Sequence, residues 1–331
     1  MKTSSLLASF LRWPILPRIL LIIFSVNLLF GALIHLLEPT NYPTFFDGVW
    51  WAFVTTSTVG FGDFVPSSIT GRLIGILLIL IGTGFVTTYF VTLATTAVTN
   101  QNAYLEGKSS YQGNKHVIIV GWNERAKQTI SQLLAIQPPI DIILIDETLK
   151  QNPAPSNHTH FIKGNPTTDD VLLKANAETA ESILITSDQN RDEHQADMST
   201  ILTLIAVKGI NPNIYSVVEI LTANQVTNAK RAGADEVIQT NKLSSYVMIN
   251  SIISHGMSEA LLIMLDQLKG SKLKYLPTSN DLTGKTFGEC SRILQTMSIL
   301  LIGVKKGEET LVNPSLNLTI EPQDELLVIK D

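Results

Sequence analysis

Thr58-Val59-Gly60-Phe61-Gly62-Asp63, residues 58–63, decide how this chain is to be read. Backbone carbonyls can replace the water around K⁺ only if successive peptides aim their oxygens at one axis. That arrangement calls for left-handed φ/ψ values, which a residue with a Cβ rarely adopts and glycine adopts freely. Gly60 and Gly62 supply them at alternate positions. The carbonyls of Thr58, Val59, Gly60 and Phe61, with the Thr58 hydroxyl below, then form a stack of oxygen sites when four copies surround an axis. Asp63 follows directly and can brace the stack by hydrogen bonding. The same string would also fit a glycine turn in a soluble loop, so its surroundings decide.

Two uncharged apolar stretches flank the hexapeptide, from about Ile19 to Leu37 and from about Leu73 to Val98. Each is close to or beyond the ~20 residues that cross the hydrocarbon as a helix. A signal peptide does not explain the first: the apolar run is long, no A-x-A site follows it, and a second span comes soon after. Lys2, Arg12 and Arg18 precede the first span and place the N-terminus inside, with Arg72 as an opposing charge on the outer side. Two spans then put both termini in the cytoplasm.

Between Ile19 and Gly71 the charged residues are Glu38, Asp47 and Asp63, all acidic. Repeated around an axis they would concentrate cations at the outer mouth. Glu38 reads as an ordinary solvated loop charge. Thr44 to Ser57 reads as a short pore helix whose Trp50 and Trp51 form a cuff around the oxygen stack, its C-terminal dipole pointing negative toward the ion. Phe61 has no hydroxyl to donate to that cuff, which predicts a filter held more by packing than by hydrogen bonds.

Gly84, Thr88, Thr92, Thr95 or Thr96, and Thr99 recur every three to four residues along the second span. They mark one small, hydroxylated stripe on an aliphatic helix, expected to line water. The alternative is that the threonines bond back to their own helix and face a neighbouring span. Gly82 and Gly84 weaken resistance to bending and are the expected hinge of a gate.

The chain of 331 residues has a net charge of -5, and a boundary near Asn100 divides it unequally. Through Lys115 the balance is +2, so the remainder carries -7. An acidic second half offers no basic footprint for nucleic acid. Cys290 is the single cysteine, which excludes a disulfide framework or a cysteine-based zinc site and suits a buried thiol in a reducing compartment.

Asn100 to Asn114 is polar, without apolar period, and reads as a linker. Strands then alternate with helices: His116–Val120, Asp141–Ile145, Thr159–Ile162, Ser182–Thr186, Asn213–Val218 and Glu236–Ile238, with a helix at Glu124–Ile136. This alternation predicts a parallel, doubly wound, Rossmann-like sheet with a nucleotide crevice at the strand carboxyl ends. Gly121-Trp122-Asn123-Glu124-Arg125-Ala126 keeps only part of the dinucleotide fingerprint, with Asn123 where the backbone would approach a pyrophosphate. Asp146 ends the second strand, where a carboxylate can accept ribose hydroxyls. An adenine nucleotide or NAD(H) held by Gly121, Trp122, Asn123, Asp146 and Thr186 is one reading; a degenerate crevice kept for structure alone is the other.

Taken together, the two spans with TVGFGD, the linker, HVIIVGWNE, Asp146 and GNPTTDDVLLKANAETAESILIT resemble the bacterial and archaeal two-span potassium channels with a cytosolic RCK (TrkA-N plus TrkA-C) domain. The resemblance covers almost the whole chain. It implies an α-helical membrane pore domain of two spans plus a pore helix, an α/β Rossmann-like RCK domain and a small α+β TrkA-C subdomain. The corresponding boundaries are a cytoplasmic N-terminus at 1–18, the pore domain at 19–98, a linker at 99–115, the RCK N-terminal domain at 116–240, a helical crossover at 241–271 and TrkA-C at 272–331, with strands near Ser298–Val304 and Glu325–Ile329. It further implies a homotetrameric, K⁺-selective pore above a gating ring of RCK domains, octameric if further copies of the domain are supplied, whose ligand-driven expansion pulls the second span open. No internal methionine lies between Met1 and Met198 to start such copies.

The calcium-gated relatives place three carboxylates where this chain reads Thr186, Val217 and Glu219. One carboxylate is a poor cage for Ca²⁺, which takes six to eight oxygens. The acidic run Asp188, Asp192, Glu193 and Asp197, with His194, reads as capping and solvating the helix that follows. Two other functions fit part of the chain: a membrane-anchored nucleotide-dependent oxidoreductase, for which no Tyr-x-x-x-Lys or Cys/His pair stands out, and a non-conducting regulatory subunit of a K⁺ transporter. The expected function is a ligand-gated K⁺ channel in the cell membrane, not an enzyme.

Overall fold

A computed structural model describes residues 10, 12–266 and 272–330. Lys2, Asp331 and the crossover positions 267–271 lie outside the described residues, as do 1–9 and 11. The chain divides into two compact units, Met1–Ala103 and Tyr104–Asp331.

In the first unit, α1 (Ile15–Leu37) and α3 (Ile69–Leu105) are long and apolar enough to cross a membrane. Between them α2 (Phe45–Thr56) starts in a capping box, where the Thr44 side chain accepts from Asp47 N and the Asp47 carboxylate accepts from Thr44 N at 2.9 Å. The α1 and α2 backbones meet closely: a Cβ on Gly31 would lie 2.6 Å from Val49 Cα, and one on Gly48 2.3 Å from the Gly31 carbonyl oxygen. Phe30, Ile34, Tyr42, Trp51, Ala52 and Leu78 fill the space around this contact.

Glu38 departs from expectation. It is buried, at 5% exposure, and its carboxylate accepts from Ser67 N at 3.0 Å, Ser68 N at 2.9 Å and Asn41 Nδ2 at 2.9 Å, besides both serine hydroxyls. Burial alone would push this carboxyl up. The hydrogen bonds from Ser68, Ser67 and Asn41 overcome that and hold it at about 2. Glu38 is a brace between the end of α1 and the start of α3.

The helix α3 also overruns the expected linker, because neither Gly nor Pro interrupts the polar residues after Thr99 until Gly107, which turns at φ 70°. From Tyr104 the segment belongs to the second unit and is bonded within it. Asn152 N donates to Leu105 O at 2.8 Å, Lys163 N to Gly107 O at 2.9 Å and Tyr111 N to Lys174 O at 2.8 Å. The Tyr111 hydroxyl donates to Asp141 at 3.0 Å, and Tyr104 sets its ring edge-on to His160.

The second unit holds a six-stranded parallel sheet from β1 (Val117–Val120), β2 (Ile142–Asp146), β3 (Thr159–Lys163), β4 (Ser182–Ile185), β5 (Tyr215–Ile220) and β6 (Glu236–Gln239). Their order is β3-β2-β1-β4-β5-β6, with Val117 opposite both Ile142 and Ser182. Strand order therefore reverses between β1 and β4, the switch point where such sheets open a crevice. Helices α4 (Glu124–Ala135), α5 (Asp169–Lys174), α6 (Glu193–Ile210) and α7 (Val226–Arg231) follow β1, β3, β4 and β5. β1, β2 and β3 are buried along almost their whole length, as parallel strands covered on both faces must be, β4 and β5 include half-buried positions, and the edge strand β6 buries no residue.

Two further helices, α8 (Thr240–Ile253) and α9 (Met257–Leu265), bury no residue and expose Leu243, Ile249, Ile252, Leu262 and Leu265. A four-stranded antiparallel sheet closes the chain. It is built from β7 (Lys272–Pro277), β8 (Leu300–Lys306), β9 (Glu309–Val312) and β10 (Glu325–Lys330) in the order β7-β10-β8-β9, with α10 (Phe287–Gln295) against it. Cys290 lies in its core, and burial pushes the thiol up. Two apolar helices, a parallel Rossmann-like sheet and an antiparallel C-terminal subdomain make up the architecture expected from the sequence.

Candidate functional site

Backbone conformation sets the first site. Thr58, Gly60 and Gly62 have φ values of 63°, 58° and 77°, while Val59 and Phe61 between them stay out of that region. Alternating handedness lets successive carbonyls share one direction, as the oxygen stack requires. A Cβ on Gly60 or Gly62 would meet nothing within 4 Å, so conformation and not space demands glycine there. Thr58 takes the same conformation as a β-branched residue, which the sequence did not reveal.

Side chains hold the segment from outside. Phe61 lies flat on Trp50, with ring centroids 6.0 Å apart and planes 9° apart, and the Trp50 indole donates to Asp63 Oδ2 at 2.8 Å. Packing and one hydrogen bond thus meet in Trp50. At the inner end, Gly60 N donates to Val54 O at 3.3 Å and Thr58 N to Thr55 O at 3.1 Å, tying the segment to the last turn of α2.

On α3, Thr88, Thr92 and Thr95 bond back to the carbonyls of Gly84, Thr88 and Val91 at 2.7–2.8 Å, and Thr99 is exposed on the same stripe. Back-bonding satisfies each hydroxyl proton and leaves the oxygen lone pairs facing outward. Gly82 and Gly84 differ. A Cβ on Gly82 would fall 2.1 Å from Thr56 Cγ2, so glycine there is explained by packing, whereas Gly84 has open space around it. Of the two expected hinge positions, only Gly84 lacks a packing reason for its glycine.

The second site is a crevice of about 610 Å³ at the β1/β4 switch point, lined by Gly121, Trp122, Asn123, Asp146 and Thr186 among others. The structure brings these five together, yet their polar groups mostly serve one another. Asn123 caps α4 by accepting from Ala126 N at 2.9 Å, and its Nδ2 donates to Thr186 Oγ1 at 3.1 Å. Asp146 turns one oxygen to Trp122 N at 2.8 Å and the other to Thr148 N, Thr148 Oγ1 and Leu149 N at 2.7–3.0 Å. The carboxylate expected to meet a ribose is therefore engaged by the loops on either side. Gly121, at φ 88°, leaves room for Thr186: a Cβ would lie 2.7 Å from its hydroxyl.

Arg125 was not singled out in the sequence. Its guanidinium reaches Glu219 at 2.9 Å and donates to Ser187 O at 2.9 Å. Glu219 also accepts from Ser187 N at 2.8 Å and Thr240 Oγ1 at 2.6 Å, and is 5% exposed on its side chain. Glu219, only a weak metal candidate on sequence, is thus paired with a guanidinium, and no metal-holding cluster occurs among the described residues. In the following acidic run Asp192 caps α6, accepting from His194 N at 3.0 Å, while Asp188 pairs with Arg191 at 3.0 Å and Glu193 accepts from Asn241 Nδ2 at 2.9 Å. Asp197 is the exception to the solvated reading: fully buried, it accepts from Leu221 N and Thr222 N at 2.8 and 2.9 Å.

An ion-channel family matches residues 22–99 and the TrkA-N domain family residues 117–240. YugO of Bacillus subtilis (strain 168), named as a potassium channel protein, is 40% identical over 99% of this chain and 100% of its own length. The calcium-gated potassium channel TvoK of Thermoplasma volcanium is 26% identical over 86% of this chain and 83% of its own. Among solved structures, a GsuK channel bound to NAD superposes at a TM-score of 0.52 and 18% identity, and the GsuK channel at 0.55 and 18%. This chain spans 56% and 57% of those two chains, so the likeness shows the fold. With an ion-channel segment and a TrkA-N segment both matched, and a relative of that identity along its full length, the chain belongs to the potassium channels that carry a TrkA-N (RCK) domain.

Proposed function

We propose that four copies of this chain form a K⁺ pore whose selectivity lies in the carbonyls of Thr58, Val59, Gly60 and Phe61, with Asp63 and Trp50 bracing them. The alternation of left-handed backbone at Thr58, Gly60 and Gly62 carries this reading. The stripe Thr88, Thr92, Thr95 and Thr99 lines the water below the filter, and α3 bends at Gly84, with Gly82 seated against the pore helix. Both termini face the cytoplasm, placing Glu38, Asp47 and Asp63 outside.

A ring of cytosolic domains assembles on the apolar faces that one chain leaves exposed, on α8 and α9 and at Met198, Leu202 and Ile205 of α6. The gating ligand is an adenine nucleotide or NAD(H) in the switch-point crevice. Its volume suits a small ligand, the buried Ser187 Oγ has no partner among the described residues, and Arg191 at the rim offers a cation to phosphate. A nucleotide there takes over bonds that Asn123 and Arg191 now make within the chain, which gives it the differential contact a switch needs.

The test is flux through the purified protein in liposomes, K⁺ against Na⁺, with ATP, ADP, NADH and Ca²⁺ added in turn to the cytosolic side. K⁺-selective flux modulated by a nucleotide and indifferent to Ca²⁺ is expected. Selective flux that ignores every nucleotide would remove the crevice assignment and leave the pore standing.

A further inference from the structure

A buried polar contact ties α1 to the pore helix next to the filter. Asn27 is wholly buried, and its Nδ2 donates to Ile23 O at 2.8 Å, which turns Oδ1 toward Thr56. The Thr56 hydroxyl lies 2.9 Å from that oxygen and 2.9 Å from Ala52 O. It has one proton to give. Ala52 O, Asn27 Oδ1 and, at 3.3 Å, Phe53 O all lie within its reach; flipping the amide would press Oδ1 against Ile23 O, so Asn27 presents an acceptor to Thr56. Ala52 O already accepts the backbone bond of its own helical turn, whereas donation to Asn27 Oδ1 joins α1 to the pore helix. The methyl of the same Thr56 faces α3, since a Cβ on Gly82 would fall 2.1 Å from it. Two residues further on, Thr58 holds a φ of 63°, which a β-branched residue keeps only where its surroundings enforce it.

We infer that Asn27 is a positioning residue of the filter: through the Thr56 hydroxyl it fixes the end of the pore helix, so that Thr58 and the oxygen stack beyond it keep their ion-selective conformation. The bond lies within an apolar layer where no water can substitute for it. Thr56 thereby touches both membrane helices, α1 by its hydroxyl and α3 by its methyl. The inference rests on the pore reading above.

The experiment compares K⁺/Na⁺ permeability ratios and thermal stability of the full-length channel in liposomes. The variants are Asn27→Leu, Thr56→Val, Thr56→Ser and the double N27L/T56V. Thr56→Val keeps the shape and removes the hydroxyl; Thr56→Ser keeps the hydroxyl and removes the methyl. Either loss of the bond should lower the ratio about fivefold, the factor matching one net hydrogen bond. The double variant should fall no further and should regain thermal stability, because it leaves no buried group unpaired. Thr56→Ser should keep the parental ratio. Parental selectivity in Thr56→Val and in the double variant would overturn the inference, as would an equal loss in Thr56→Ser. If Asn27→Leu fails to fold, the other three variants decide. A parent without K⁺ selectivity would overturn the pore reading and this inference with it, whereas a selective parent with indifferent variants overturns the inference alone.

Discussion

On the proposed reading the backbone supplies the chemistry in the filter segment and side chains hold it from outside, while in the switch-point crevice side chains are spent on backbone and on one another. Trp50, Phe61 and Asp63 form a brace that leaves the carbonyls of residues 58–61 free. In the crevice, Asn123 caps its own helix, Asp146 joins two loops, and Arg125 neutralises Glu219. If the crevice is the sensor proposed above, the contrast separates a site that must stay fixed from one that must change. A filter gains nothing by rearranging, since selectivity depends on preset oxygen positions. A sensor needs two sets of bonds close in energy, so that a ligand can shift the balance by a few kcal/mol.

The most damaging way to break the comparison is Gly60→Ala. A left-handed conformation costs a residue with a Cβ about 1–2 kcal/mol, repeated in every subunit. Selective K⁺ flux should be abolished while the cytosolic domain still folds, as read by flux and by near-UV circular dichroism. Next is Arg125→Ala, which leaves Glu219 buried without its cation; breaking such a pair typically costs about 3–5 kcal/mol. Melting of the full-length protein should show a large loss in the cytosolic transition, and adding Glu219→Gln should recover much of it.

Glu38 sharpens the comparison at the end of α1. The fold favours its ionised form, so the brace is complete above the ordinary carboxylate range and fades as pH falls from 4.5 toward about 2. Stability of the purified channel should drop over that window in the parent, and Glu38→Gln should be less stable at neutral pH and lack this component. The smallest effect belongs to Arg191→Ala. Its pairs with Glu147 and Asp188 are half exposed, and such pairs contribute about 0–1 kcal/mol, so melting should barely move. Nucleotide binding, measured by calorimetry, should weaken several-fold if Arg191 meets phosphate.

Legibility followed sequence distance. The spans, the short helix after Thr44 and the alternating strands rest on local patterns within one element, and they were readable. What escaped depends on partners far along the chain: Glu38 with Ser67 and Ser68, Arg125 with Glu219, Asn27 with Thr56. A lone acidic residue after an apolar run looks solvated until the backbone amides that bury it are in place. The linker misled for a similar reason. Its polarity fits a free tether, but its backbone groups pair with Asn152, Lys163 and Lys174. At residues 58–63 the local string together with the two flanking apolar stretches carries the reading, all within one short reach of sequence.

The central claim, that residues 58–63 select K⁺, is tested most directly by the reversal potential of the purified channel with K⁺ on one side of a bilayer and Na⁺ on the other. A reversal potential set by the K⁺ gradient, lost in Gly60→Ala, is the result predicted. Current that reverses near zero in the parent protein would contradict it.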